Sequence, residues 1–143
     1  IGAKIEYLKA EGYPPVQIEG PILQKSNQIS IRGDVSSQFI SSLLMIAPLL
    51  PQGLEITLTG EVGSLPYIHM TIDMMRDFGV HVHFNGNTLT VRPQKYTKTS
   101  FFVESDWSGA SYWYSIAALA KSAEIKLVGL KPKSLQGDSA IVD

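Results

Sequence analysis

Apolar residues recur at helical spacing from Ser36 to Leu50, where Phe39, Ile40, Leu43, Leu44 and Ala47 form a wide stripe. Met45, Ile46 and Leu50 fill much of the remaining circumference, so a nearly enclosed helix is expected. Pro48 sits near its end and Pro51 helps to stop it. A second helical pattern runs from Ser64 to Phe78, with Ile68, Ile72, Met75 and Phe78 along one side. Ser64 suits its cap, Pro66 its first turn and Gly79 its end. A third helix is expected from Ser108 to Ala120, and another opens at Ser134. Strand patterns cover Ala3–Leu8, Val16–Glu19, Gln28–Arg32, Leu54–Thr59, Val80–Phe84, Thr88–Val91, Phe101–Glu104 and Glu124–Val128. Asn85-Gly86-Asn87 is a strong hairpin turn between two of them.

The pattern repeats. Asp34 and Asp106 stand 72 residues apart, as do Ser36 and Ser108. Glu55-Ile56-Thr57-Leu58-Thr59-Gly60 resembles Glu124-Ile125-Lys126-Leu127-Val128-Gly129 at an offset of 69, and Ser64-Leu65 resembles Ser134-Leu135 at 70. Phe78-Gly79-Val80-His81-Val82 echoes Ile1-Gly2-Ala3-Lys4-Ile5, each opening a hairpin. One cycle is strand, helix, strand, helix and a two-stranded hairpin. That period exceeds the short solenoid repeats, so each cycle is a small module of its own. The expected class is α/β, built from βαβαββ units with helices buried against small sheets.

Composition narrows the function classes. The 143 residues suffice for a real core, and 44% hydrophobic with 17% charged residues argues for a folded chain. A net charge of -1 leaves no basic footprint for nucleic acid and no polybasic membrane patch. With no cysteine, disulfides, thiolate metal sites and cysteine nucleophiles drop out, which fits a reducing cytoplasm. The longest apolar run, Leu43 to Pro51, is too short to span a bilayer. The chain opens at Ile1-Gly2 without methionine and closes on Ile141-Val142-Asp143 inside a helical pattern, so it is expected to be a piece of a longer polypeptide.

Candidate chemistry concentrates at Gly33-Asp34-Val35-Ser36-Ser37-Gln38-Phe39, where a strand pattern hands over to a helical one. Helix starts present free backbone N–H groups and a positive dipole end, which together attract anions. Two hydroxyls and a carboxamide sit there, so a phosphate is a natural ligand; Ser36 can equally act as a plain cap, and both roles are compatible. His81 and His83 share a strand face, but zinc needs a third ligand, so a solvent-facing strand is expected and no metal. Lys95, Lys98, Lys121, Lys126, Lys131 and Lys133 are scattered surface charges. Trp107, Tyr112, Trp113 and Tyr114 read as core or domain-contact residues that could leave an exposed apolar patch.

Val35-Ser36-Ser37-Gln38-Phe39, Glu11-Gly12-Tyr13-Pro14-Pro15 upstream, and Ser64-Leu65-Pro66-Tyr67-Ile68 and Asp106-Trp107-Ser108-Gly109-Ala110-Ser111-Tyr112 downstream occur in a telling order and spacing. Together they closely resemble the middle of the 5-enolpyruvylshikimate-3-phosphate synthase family, and Ser134-Leu135-Gln136-Gly137-Asp138 fits as well. The resemblance covers essentially the whole chain. It implies a two-domain transferase built from βαβαββ units, with residues 1–102 in the shikimate 3-phosphate-binding domain and 103–143 opening the other. The implied reaction moves the enolpyruvyl group of phosphoenolpyruvate to the 5-hydroxyl of shikimate 3-phosphate, with no cofactor, in the cytoplasm.

By the same resemblance, Ser36, Ser37 and Ser64 contact the substrate phosphate, Gln38 touches both substrates, and Tyr67 lies beside the shikimate ring. Catalytic residues are expected outside this chain, in the remainder of the same polypeptide, so the piece alone is expected to be inactive. Leu65 departs from the family, which usually carries a basic residue before the proline. Asp106 is expected to be structural, at the crossover between domains, or to contact the site indirectly, and neither Asp34 nor Asp106 is expected to be catalytic. Two other readings stand beside this one. The sister family that uses UDP-N-acetylglucosamine shares the fold, and a non-catalytic phosphate-binding α/β repeat has the same local pattern.

Overall fold

The computed structural model describes residues 1–21 and 23–142. In chain order its elements are β1 (Lys4–Tyr7), β2 (Val16–Glu19), β3 (Gln28–Arg32), α1 (Ser37–Ile46), β4 (Leu54–Thr59), α2 (Leu65–Asp77), β5 (Val82–Asn85), β6 (Thr88–Val91) and α3 (Trp107–Leu119). Short 3-10 helices follow at Ala47–Leu49 and Gly137–Val142.

The central module is one complete βαβαββ unit. Its four-stranded sheet runs β3-β4-β6-β5. The β3–β4 pair is parallel, and the other two pairings are antiparallel. Alternation decides the buried face. Leu54, Ile56 and Leu58 of β4 are buried while the residues between them are not. The register sets Ile29 opposite Ile56, Ile31 opposite Leu58, and Leu54 and Ile56 opposite Val91 and Leu89. Ile40, Leu44 and Ala47 from α1, with Ile68, Ile72 and Met75 from α2, close over that face. The far face is polar, and there the Gln28 amide donates to Glu55 at 3.0 Å. Helices packed on small mixed sheets are the expected α/β class.

Within α1 the expectation of near-complete enclosure fails. Ile40 and Leu44 are buried, but Phe39 is 62% exposed and Met45 and Ile46 lie on the surface with it. A sheet and one neighbouring helix cover only one flank of a helix, so the apolar circumference exceeds the cover available within this chain. The helix also ends earlier than Leu50. Pro48 lacks an N–H and crowds the preceding turn, and the chain tightens into the 3-10 segment. At the end of α2, Gly79 adopts φ +81°, and its N–H reaches the Arg76 carbonyl at 2.9 Å, as expected for a helix-terminating glycine.

The hairpin β1–β2 forms its own two-stranded sheet, and both strands are exposed. Residues 103–142 differ more from expectation. The strands expected at Phe101–Glu104 and Glu124–Val128 are not formed; both segments run without regular structure. Their ends still meet, where the Ser105 N–H donates to the Gly129 carbonyl at 2.9 Å. Two strands alone are marginal in water, and no third strand lies next to them among the described residues. The helix expected from Ser134 is instead the 3-10 turn Gly137–Val142.

Candidate functional site

The parallel strands β3 and β4 end at the same edge of the sheet, and each feeds a helix. In open α/β sheets that edge, beyond the carboxyl ends of parallel strands, is where ligands settle. The loop after β3 and the loop after β4 touch. Gly33 N–H donates to the Thr59 carbonyl at 2.8 Å, and Gly63 N–H donates to the Gly33 carbonyl at 3.0 Å. Gly33 is required by this approach, since a Cβ there would lie 2.8 Å from both the Glu61 carbonyl oxygen and a Val62 methyl. The contact draws the starts of α1 and α2 together.

Ser36 is the N-cap of α1, and its hydroxyl oxygen accepts the Gln38 N–H at 3.4 Å. That bond is long and leaves the hydroxyl hydrogen free to point outward. Ser37 is half-buried at the first helical position, and the Gln38 side chain is exposed beside it. Ser64 departs from expectation. It does not cap α2 with its side chain; its backbone sits in the left-handed region at φ +54° and ψ +32°. A non-glycine residue pays about 1–3 kcal/mol for that conformation. The Ser64 carbonyl accepts the Tyr67 N–H at 3.0 Å, and its exposed hydroxyl is left unused by the cap. Ser36, Ser37, Gln38 and Ser64 thus gather at one edge of the module.

Tyr67 is half-buried one turn into α2. Its hydroxyl donates to Asp138 Oδ2 at 3.0 Å. Burial pushes the Tyr67 phenol pKa up, and the Asp138 carboxylate adds to that. The Ser108 hydroxyl donates to the same Asp138 oxygen, and the two donors hold the Asp138 carboxyl below its usual range. Asp138 is a position for which sequence reasoning assigned no role. Its partners stand 71 and 30 residues away, and no local pattern points to either.

The two aspartates of the repeat differ in use. Asp106 caps α3, its carboxylate accepting the Ser108 and Gly109 N–H groups at 3.0 and 3.1 Å. Asp34 caps nothing; its carboxylate pairs with the Arg32 guanidinium, which lowers its pKa. This pairing engages the cation that lies nearest to Ser36 and Ser37 along the chain, and Leu65 adds none. His81 and His83 are exposed, and no group of three His, Asp or Glu able to hold a metal ion occurs among the described residues. No helix among them is long and apolar enough to cross a membrane.

The family model for EPSP synthase (3-phosphoshikimate 1-carboxyvinyltransferase) matches residues 1–143. The chain belongs to this family. A 3-phosphoshikimate 1-carboxyvinyltransferase of Bacteroides fragilis is 52% identical over 140 residues, which is 97% of this chain and 34% of that protein. The Vibrio atlanticus relative is 45% identical over 145 residues, and the Methanospirillum hungatei relative 42% over 147; each alignment covers 99% of this chain and 34% of the relative. The solved EPSP synthase from Acinetobacter baumannii matches at TM-score 0.62 and 28% identity, covering 82% of this chain and 25% of that one. The chain therefore spans about a third of the length of the curated relatives it matches.

Proposed function

We propose that this chain is the central part of an enzyme that transfers the enolpyruvyl group of phosphoenolpyruvate to the 5-hydroxyl of shikimate 3-phosphate. Residues 1–102 contribute to the domain that holds shikimate 3-phosphate, and 103–143 open the second domain. Ser36, Ser37 and Ser64 donate hydroxyl bonds to the substrate phosphate. The backbone N–H groups at the start of α1 add to them. Gln38 offers one acceptor and two donors to the substrates, and Tyr67 lines the ring. The observation that carries the reading is the meeting of two helix starts, each bearing serine, beyond the ends of the parallel pair β3–β4.

The chemistry also needs the enol carbon protonated, the hydroxyl deprotonated, and two phosphates and a carboxylate held. Such work calls for several cations and an acid/base pair. Arg32 is already paired with Asp34 here, so those groups are assigned to the remainder of the polypeptide, and the piece alone is assigned no turnover. The test is phosphate release from phosphoenolpyruvate by the full-length polypeptide, offered shikimate 3-phosphate or UDP-N-acetylglucosamine. Turnover with the first acceptor alone is expected. In that enzyme, replacing Ser36 and Ser37 together by Ala should weaken shikimate 3-phosphate binding by about 2–6 kcal/mol, the sum of two charge-assisted bonds. An unchanged Michaelis constant for that substrate removes the phosphate role.

A further inference from the structure

Tyr67 is engaged at its main chain and at its phenol. At its backbone end, the carbonyl accepts the Thr71 hydroxyl at 3.0 Å. Thr71 is the buried polar residue of the module, and its hydroxyl in turn meets Ser41 of α1 at 2.7 Å. With Thr71 donating to Tyr67, Ser41 donates to Thr71, so a run of hydroxyls ties α1 to the first turn of α2. At the other end, the phenol donates to Asp138. Gly137 lies close enough to Pro66 and the Tyr67 ring that a Cβ on it would stand 3.5 and 3.8 Å from them. The Asp138 oxygen that takes the phenol also takes the Ser108 hydroxyl from the first turn of α3. One exposed carboxylate therefore joins the starts of two helices that are 42 residues apart in their bounds as Leu65 and Trp107.

This arrangement has a chemical consequence. A bare carboxylate near a site for a phosphorylated acid repels its ligand. Two hydroxyl donors on one oxygen spread that charge and fix its direction. The phenol is spent on Asp138, so Tyr67 offers a ligand its ring rather than its hydroxyl.

We propose that Asp138 is a positioning residue for the acceptor side of the site: through Tyr67 and Ser108 it sets the ring beside Ser64 and seats the start of α3 against it. The inference rests on the proposed function and adds to it a residue that touches no substrate. Its signature is selective. Losing Asp138 loosens the ring and weakens the grip on shikimate 3-phosphate, while phosphoenolpyruvate, held elsewhere, is unaffected.

The test measures both Michaelis constants of the full-length enzyme for wild type, Y67F, D138A, D138N and the double variant Y67F/D138A, with a thermal melt of each. Losing one bond to a charged group predicts that D138A and Y67F each raise KM for shikimate 3-phosphate about tenfold. The double variant should be no worse than the poorer single one, because both remove the same interaction. D138N keeps an acceptor oxygen and should restore KM to within about twofold of wild type, since its carbonyl oxygen still has two lone pairs. Multiplying effects in the double variant, a D138N as poor as D138A, or equal rises in both Michaelis constants would overturn the positioning role while leaving the functional reading intact. A wild-type enzyme that does not turn over shikimate 3-phosphate would overturn both.

Discussion

Residues 28–91 and 103–142 begin from nearly the same pattern and end in different states. Both place a strand pattern before a helix and a second strand pattern after it. Both make a similar backbone contact between the two strand ends, shifted by one residue on the acceptor side: Gly33 N–H to Thr59 in the first, Ser105 N–H to Gly129 (the counterpart of Gly60) in the second, at 2.8 and 2.9 Å. In the first, β6 and β5 extend the sheet, and two helices cover one face. In the second, no ladder forms; Val103 and Val128 are exposed, and Tyr112 on α3 is 72% exposed. The helix forms in both cases because its hydrogen bonds and its cap are local. A strand's hydrogen bonds go to another segment, and its side chains need a covered face. Pattern is therefore sufficient for α3 and insufficient for the strands on either side of it.

The largest expected contrast is in packing. Leu44→Ala removes a fully buried side chain and should cost about 2–5 kcal/mol in a denaturation experiment. Ile116→Ala, on the half-exposed side of α3, should stay within about 0.5 kcal/mol. Equal losses at the two sites would mean that 103–142 is as closed as the central module. A smaller contrast lies in the caps. Asp106→Ala frees two backbone N–H groups and should cost about 0.5–2 kcal/mol, whereas Ser36→Ala gives up one long bond and should fall at the lower end. Helix-resolved amide exchange separates them, and a greater loss at Ser36 would reverse the comparison.

The smallest effect is expected from acid. Burial pushes the Glu104 carboxyl up, but bonds from the Lys131 backbone N–H, the Trp107 indole and the Ser134 hydroxyl outweigh it and leave its pKa below the ordinary 4.5. A carboxyl depressed in the folded state stabilises fully above its unfolded pKa and loses that contribution as the pH falls through the folded one. Trp107 fluorescence in a Trp113→Phe background should hold steady down to about the unperturbed carboxylate range and change only below it. A transition above that range would remove Glu104 from the contact between 104 and 131–134. The central module, with its uncharged core, should show no matching change in backbone circular dichroism.

Much of the fold was legible beforehand because the central unit's signals agree with one another. Alternation in Leu54–Thr59, the apolar side of α2 and the turn at Gly86-Asn87 all point to one sheet with helices on one face. The grouping of Ser36, Ser37 and Gln38 follows from their adjacency, and the structure adds Ser64 through the touching loops around Gly33 and Gly63. Ser64's left-handed backbone was not legible, because nothing in Gly63-Ser64-Leu65 distinguishes that conformation from an ordinary cap. Asp138 was not legible as Tyr67's partner either, since a contact across 71 residues leaves no local trace.

Taken alone, the order of residues determined the βαβαββ cycle, the capped start of α1, the presence of α3, and a family-wide match running from end to end. These depend on hydrogen bonds within a turn and on periodicity, both of which act over a few residues. Only the tertiary structure decided which strand patterns become strands, how much of α1 is covered, and that Tyr67 and Ser108 share one carboxylate oxygen. Those outcomes depend on which distant segment arrives to complete a ladder, cover an apolar flank or accept a proton, and nearby residues carry no record of that.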